Sequence, residues 1–235
     1  MTTKILYDSI YQENIAFVRN GNVFVDESLG TGSADMRRGL SLIIPLNQIT
    51  KGYEALIENF QILEPEQYYY PTEDLHITVF DYIAADNVYT RTSSIEQTLI
   101  NITDDVVKSL SSFTVFFKGI VFSREAGLLK GYDNGSVVAL RKRIRQRLKD
   151  FRLPNMERYK STSVHSTFMR FTKKIDNVGG FVNELEVRRE AEIGTETVKS
   201  MVLVEHDWYN RKSLTRTIKE YKLDKQHLQP NQALH

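Results

Sequence analysis

The chain has 235 residues, 41% hydrophobic and 26% charged, a balance that supports one large globular domain or two small lobes sharing a core. It contains no cysteine, which excludes disulfides, a thiolate nucleophile and a cysteine-ligated zinc site. A formal net charge of +1 provides no global attraction to nucleic acid or membranes, so any anion-binding site has to be local.

Residues 1–36 read as a partly ordered polar leader. It shows no basic start followed by an apolar core and a cleavage site, its segment "NVFVDES" suggests a short strand, and it ends in the loop "GTGSADMRRG". "LSLIIPLN" (40–47) has the continuous apolar run of a buried strand. After it, Tyr53, Leu56, Ile57, Phe60 and Leu63 recur at helical spacing and stop before Pro65. The next strand carries "LHITVF", and "SSIEQTLINITDDVVKSL" predicts a helix capped by Ser93 or Ser94.

"FTVFFKGIVFS" (113–123) has high β propensity, and "GLLKGY" and "DNG" read as a short strand and a turn. In the helix that follows, Leu140, Ile144, Leu148 and Phe151 form one apolar stripe. Beyond Pro154, "SVHSTFMRF" reads as a strand and "DNVGGFVNELEVRRE" as a loop and helix. "ETVKSMVLVEH" and "LTRTIKEYKL" read as two closing strands, and the polar tail 223–235 is expected to be disordered. Runs such as "SLIIPL" fall far short of the ~18 apolar residues of a spanning helix, so no membrane association and a cytoplasmic location are expected. The predicted fold is α+β, a bilobal duplicated body over 37–222 with two facing antiparallel sheets, outer helices and a central cleft.

Two strands carry polar groups where a buried strand has no use for them. In "LHITVF", Leu75, Ile77 and Val79 point to one face, and His76 and Thr78 are presented together on the other. About 90 residues later "VHSTFMRF" repeats the spacing with His165 and Thr167, although Ser166 stands where an apolar residue is expected. Of the five histidines only these two are followed by threonine at the second position; His206, His227 and His235 are not. A single His-x-Thr on a strand is ordinarily a satisfied surface pair, and it is the recurrence in both halves that points to chemistry.

Such a pair suits in-line displacement at phosphorus. One neutral imidazole takes a proton from the attacking oxygen, a protonated one opposite donates to the departing oxygen, and each threonine hydroxyl donates to a non-bridging phosphate oxygen. The tandem "HITV" and "HSTF" resemble the two-histidine (2H) phosphoesterase superfamily, whose signature is two His-x-Thr/Ser-x motifs. The superfamily includes bacterial RNA 2′,3′-cyclic phosphodiesterases, also called 2′-5′ RNA ligase-like proteins. The resemblance covers roughly residues 40–222. It implies a bilobal fold with both motifs lining a cleft, His76 and His165 as the acid and base pair, Thr78 and Thr167 as phosphate-holding hydroxyls, and no metal or other cofactor. The implied partner is a nucleotide or RNA end carrying a cyclic phosphate, with no protein partner; the leader matches no part of the pattern.

Secondary candidates carry weaker signals. "RKRIRQRLK" holds six cations, but the apolar stripe beneath it reads as an ordinary amphipathic helix with its arginines toward solvent. Arg170 lies on the face opposite His165 in a regular strand and reaches a phosphate only after a bend. Tyr70, within "QYYYP" with Tyr68 and Tyr69, is a candidate base-stacking contact, and Tyr132, Trp208 and Tyr209 are comparable rim candidates. The alternative function is a non-catalytic RNA or nucleotide-binding module with the same fold. A histidine-ligated metal hydrolase lacks a third ligand at close spacing.

Overall fold

The computed structural model describes residues 3–30, 35–86, 93–155, 157 and 160–223. The predicted loop at 31–34 and nearly all of the predicted disordered tail lie outside them. The leader opens with helix α1 (Thr3–Arg19), whose Tyr7, Tyr11, Ile15 and Val18 are buried. No strand forms in "NVFVDES"; instead Phe24 and Asp26 donate backbone hydrogen bonds to Arg124 and Phe171 ahead of a single turn, α2 (Glu27–Gly30). The reading of the leader as polar and partly ordered missed this helix, whose signal is the helical spacing of Tyr7, Tyr11, Ile15 and Val18. The strand reading failed because residues 22–26 lie beside the ends of other strands rather than along one.

Next come β1 (Arg38–Pro45), α3 (Thr50–Leu63), the two-residue β2 (Tyr68–Tyr69), β3 (His76–Asp86), α4 (Ser93–Val107), β4 (Phe113–Phe122), β5 (Ala126–Tyr132) and α5 (Ser136–Asp150). The chain closes with β6 (Val164–Arg170), α6 (Val178–Arg188), β7 (Glu192–Val198), β8 (Ser200–Asp207) and β9 (Arg216–Lys222). The predicted strand "ETVKSMVLVEH" is two strands that part at Lys199 and enter different sheets.

The expected α+β architecture with two antiparallel sheets is present: one sheet is ordered β3-β1-β8-β9 and the other β2-β6-β5-β4-β7. The sheets do not coincide with the halves of the sequence. β8 and β9, from the end of the chain, complete the sheet of the first motif, and β2, from its first third, borders the strand of the second. The stripe Leu140, Ile144 and Leu148 is buried as expected, whereas Phe151 lies past the end of α5 and is exposed.

One arginine of the basic run departs from its expected place on the solvent side. Arg141 is 1% exposed, and its guanidinium donates from Nε to the Val79 carbonyl, from Nη2 to the Thr78 carbonyl and from Nη1 to the Ser163 carbonyl, each at 2.8 Å. It therefore ties β3 to the segment that enters β6. A buried cation persists because its donors are matched by fixed carbonyl dipoles; burial still pushes its pKa down to about 10, which leaves it charged at neutral pH. The other anchor at this place is Tyr7. Its hydroxyl donates to the Val164 carbonyl at 2.8 Å and accepts the Gly131 N–H at 3.1 Å, pinning α1 beside the second motif.

Arg141→Met keeps most of the apolar volume but leaves three buried carbonyls without their donor. It is expected to lower stability by about 2–4 kcal/mol and the thermal midpoint by roughly 5–15 °C. Arg141→Lys restores only part of this, since one ammonium cannot span the three acceptors. Thermal unfolding of the two variants checks both expectations.

Candidate active site

The two motif strands belong to different sheets, and His76, Thr78, His165 and Thr167 line one cleft between them. All four side chains are half-buried, while Leu75 just before β3, Ile77 on it, and Val164, Ser166 and Phe168 on β6 are buried on the opposite face. Ser166, the polar residue on that apolar face, is 1% exposed and its hydroxyl has no hydrogen-bond partner.

A bulge follows each motif and decides which further side chains reach the cleft. On β3, Thr78 pairs with Ile43 and Phe80 with Leu42, so Val79 has no partner on β1. On β6, Thr167 pairs with Leu128 and Met169 with Gly127, so Phe168 is the extra residue. An extra residue shifts the alternation of faces by one. The fifth residue after each histidine, which a regular strand turns away, therefore joins the histidine's face: Asp81 in the first lobe and Arg170 in the second. Arg170 thus makes the bend its functional reading required. Gly127, opposite the second bulge, has no alternative: a Cβ there would stand 2.7 Å from ring atoms of Phe122 and Phe168.

The histidines are held by unlike partners. His76 Nδ1 donates to the Asp74 carbonyl at 2.7 Å; a carbonyl only accepts, so this nitrogen keeps its proton and Nε2 is the one left for chemistry. His165 Nδ1 lies 2.6 Å from the Ser163 hydroxyl, which can donate or accept, so its tautomer can reverse. Both pKa values are pushed down to about 4. Burial is the main cause for each, opposed at His76 by the Asp74 carbonyl and reinforced at His165 by the Arg141 charge. The unliganded site therefore holds two neutral imidazoles at neutral pH.

Among the described residues no carboxylate forms an ion pair with Arg170, although Asp26 lies near enough to favour its charge; its Nε donates to the Tyr70 hydroxyl at 3.1 Å. Tyr70 borders the cleft but is 2% exposed, so it holds the arginine in place of offering a ring face to a base. Trp208 and Tyr209 also border the cleft, braced by Asp26 of the leader and by Arg37 just beyond it. Tyr209 donates to Asp26 at 2.9 Å, and the Arg37 guanidinium lies 3.9 Å from the Trp208 ring centre. Tyr68, Tyr69 and Tyr132 do not line the cleft; Tyr132 packs edge-on against Tyr7.

Three residues that the sequence reading passed over belong to the same place. His206 of β8, set aside there because no threonine follows it, borders the cleft. Ser41 and Asp81 share its face of the sheet, because Ser41 is paired with Asp81 on one side of β1 and Gly39 with His206 on the other. Asp81 carried one usable signal, its position five residues after a motif histidine like Arg170. The grouping itself is a property of strand order and has no trace in local sequence.

No family model and no curated protein matches the chain. Among solved structures, TT0787 of Thermus thermophilus superposes with a TM-score of 0.56 at 15% identity, over 80% of this chain and 100% of that one. A phosphoesterase gives 0.55 at 14% identity, over 80% and 99%. E. coli LigT complexed with 3′-AMP gives 0.53 at 13% identity, over 80% and 99%. The chain has the two-histidine phosphoesterase fold. At this level of identity the 2H likeness is one of architecture, and the motif strands occupy facing positions in its two sheets.

Both histidines bind protons near ~6.5 when unfolded but resist protonation down to about 4 when folded. Unfolding therefore takes up protons, and stability falls as pH drops from about 6.5 toward 4. Denaturant midpoints at pH 7 and pH 5 are expected to differ less in the His76→Gln/His165→Gln double variant than in the wild type. A bound phosphate favours imidazolium, so calorimetric titration with inorganic phosphate at pH 6, in two buffers of different ionisation heat, is expected to report net proton uptake.

Proposed function

We propose that the chain is a metal-independent phosphodiesterase that opens a cyclic phosphate on a nucleotide or RNA end. The observation that carries this reading is the convergence, from two different sheets, of two His-x-Thr pairs and one arginine that forms no ion pair among the described residues on a single cleft. Such a set contains what in-line displacement requires. One imidazole takes a proton from water as its oxygen bonds to phosphorus; the other, protonated on binding the anion, gives its proton to the departing ribose oxygen. Thr78, Thr167 and Arg170 donate to the non-bridging oxygens as their charge grows. A 2′,3′-cyclic phosphate opened to a 2′-phosphate is the substrate and product that the 2H resemblance suggests first.

The shared fold supports it: a phosphoesterase has the same architecture, and so does LigT, which has been crystallised with 3′-AMP, ATP and NADP+.

Phosphorus NMR on 2′,3′-cyclic nucleotides and on a short RNA with a cyclic end, in chelator, tests the reading. Conversion to a monoester is expected for the wild type. His76→Ala and His165→Ala are each expected to lose at least ~100-fold, the scale of one general acid or base. Binding with no product from any substrate would favour the nucleotide-binding module, and turnover unaffected by both substitutions would sink the mechanism. For Arg170→Met the expected loss in kcat/KM is roughly 10- to 100-fold, from removal of one charge-assisted contact.

A further inference from the structure

The cleft is chemically lopsided. Arg170 brings one positive charge from β6, and at the matching position on β3 stands a carboxylate, Asp81. Asp81 is built in. Its Oδ1 lies 2.6 Å from the Ser41 hydroxyl, which is 2.7 Å from His206 Nε2, and His206 Nδ1 donates to the Asp207 carbonyl at 2.6 Å. Ser41 and His206 are buried, at 1% and 7% exposure, so the Ser41 hydroxyl, which donates its one proton to Asp81 and has His206 packed behind it, fixes the carboxylate while Asp81 itself stays half-buried at the cleft. No lysine or arginine pairs with Asp81 among the described residues. The other acid on the cleft wall, Glu157, is already met by Arg145 at 2.7 Å.

A groove that tracks a nucleic-acid backbone is lined with several cations, because each phosphate bound needs its own compensation. Here the described lining contains one arginine, no lysine and two carboxylates. It can compensate one phosphate, at the histidines, and it opposes a second one on the β3 side.

We propose that Asp81, held by Ser41 and His206, is a specificity-determining residue that restricts the cleft to substrates with a single phosphate. It accepts a hydrogen bond from a hydroxyl or amino group of the bound molecule and repels a further phosphate. This deepens the phosphodiesterase reading, on which it rests, by favouring a free cyclic nucleotide over an RNA end, whose next phosphodiester adds the disfavoured charge.

Binding and turnover separate the two claims. Titration of the full chain with adenosine 2′-monophosphate and with adenosine 2′,5′-bisphosphate is expected to give an affinity at least ~10-fold weaker for the bisphosphate, the scale of one partly screened charge contact. In Asp81→Asn, which keeps the shape and can still accept from Ser41, the two affinities are expected to come within about threefold. Asp81→Ser serves as the second variant, and thermal unfolding verifies that both are folded. The same comparison on kcat/KM uses adenosine 2′,3′-cyclic phosphate with and without a 5′-phosphate. Equal or tighter wild-type binding of the bisphosphate, or a preference that neither variant changes, would overturn the role of Asp81 and leave the reaction standing. A preference that Asp81→Asn abolishes, with no turnover of any cyclic phosphate, would sustain Asp81 and overturn the reaction; failure to bind either nucleotide would overturn both.

Discussion

A buried guanidinium holds the two lobes in the register that the cleft requires. Arg141 reaches the carbonyls of Thr78 and Val79 on one motif strand and of Ser163 at the entrance to the other. Val79 is the bulged residue, whose carbonyl lacks an ordinary place in the ladder, so the arginine satisfies the defect that the bulge creates. That defect is functional in the geometric sense, since the step in register after Thr78 is what turns Asp81 toward the cleft. The same cation adds to the depression of the His165 pKa. Strand alignment, bulge and site electrostatics are therefore coupled through one side chain that touches no reacting group.

The two lobes are alike in backbone and unlike in charge. Each has a motif strand, a bulge just beyond its threonine, and a fifth residue brought round to the histidine's face. What duplication does not preserve is the chemistry of that fifth residue, acidic in one lobe and basic in the other. The supports differ as well, a backbone carbonyl behind His76 and a hydroxyl behind His165. A symmetric cleft would treat the two ends of a substrate alike, and this one has a built-in direction. The N-terminal region adds to the asymmetry: Asp26 of the leader and Arg37 beyond it brace Tyr209 and Trp208.

Part of this was readable from local pattern. Alternation in "LHITVF" put His76 and Thr78 on a face of their own, and helical spacing placed α3 and α5, each of which buries one apolar stripe. Where pattern failed, a tertiary partner had overridden it. Arg141 sits in a run of cations that reads as solvent-facing, and only three carbonyls from distant segments make its burial tolerable. Lys199 breaks what reads as one long strand, because the chain there leaves one sheet for the other. His206 seemed unconnected to the motifs, since its relation to them runs across β1 and not along the chain.

By itself the sequence determined most element types beyond the leader, the two His-x-Thr strands and the chemistry such groups can perform, because side-chain alternation and apolar periodicity act over a few residues. Only the tertiary structure decided that the two strands face one another, that bulges bring Asp81 and Arg170 to the same cleft, that His206 borders it, and that Ser41 and Arg141 support it from behind. Those outcomes depend on strand order and register, which arise from contacts between segments tens to more than a hundred residues apart and leave no local periodicity to read.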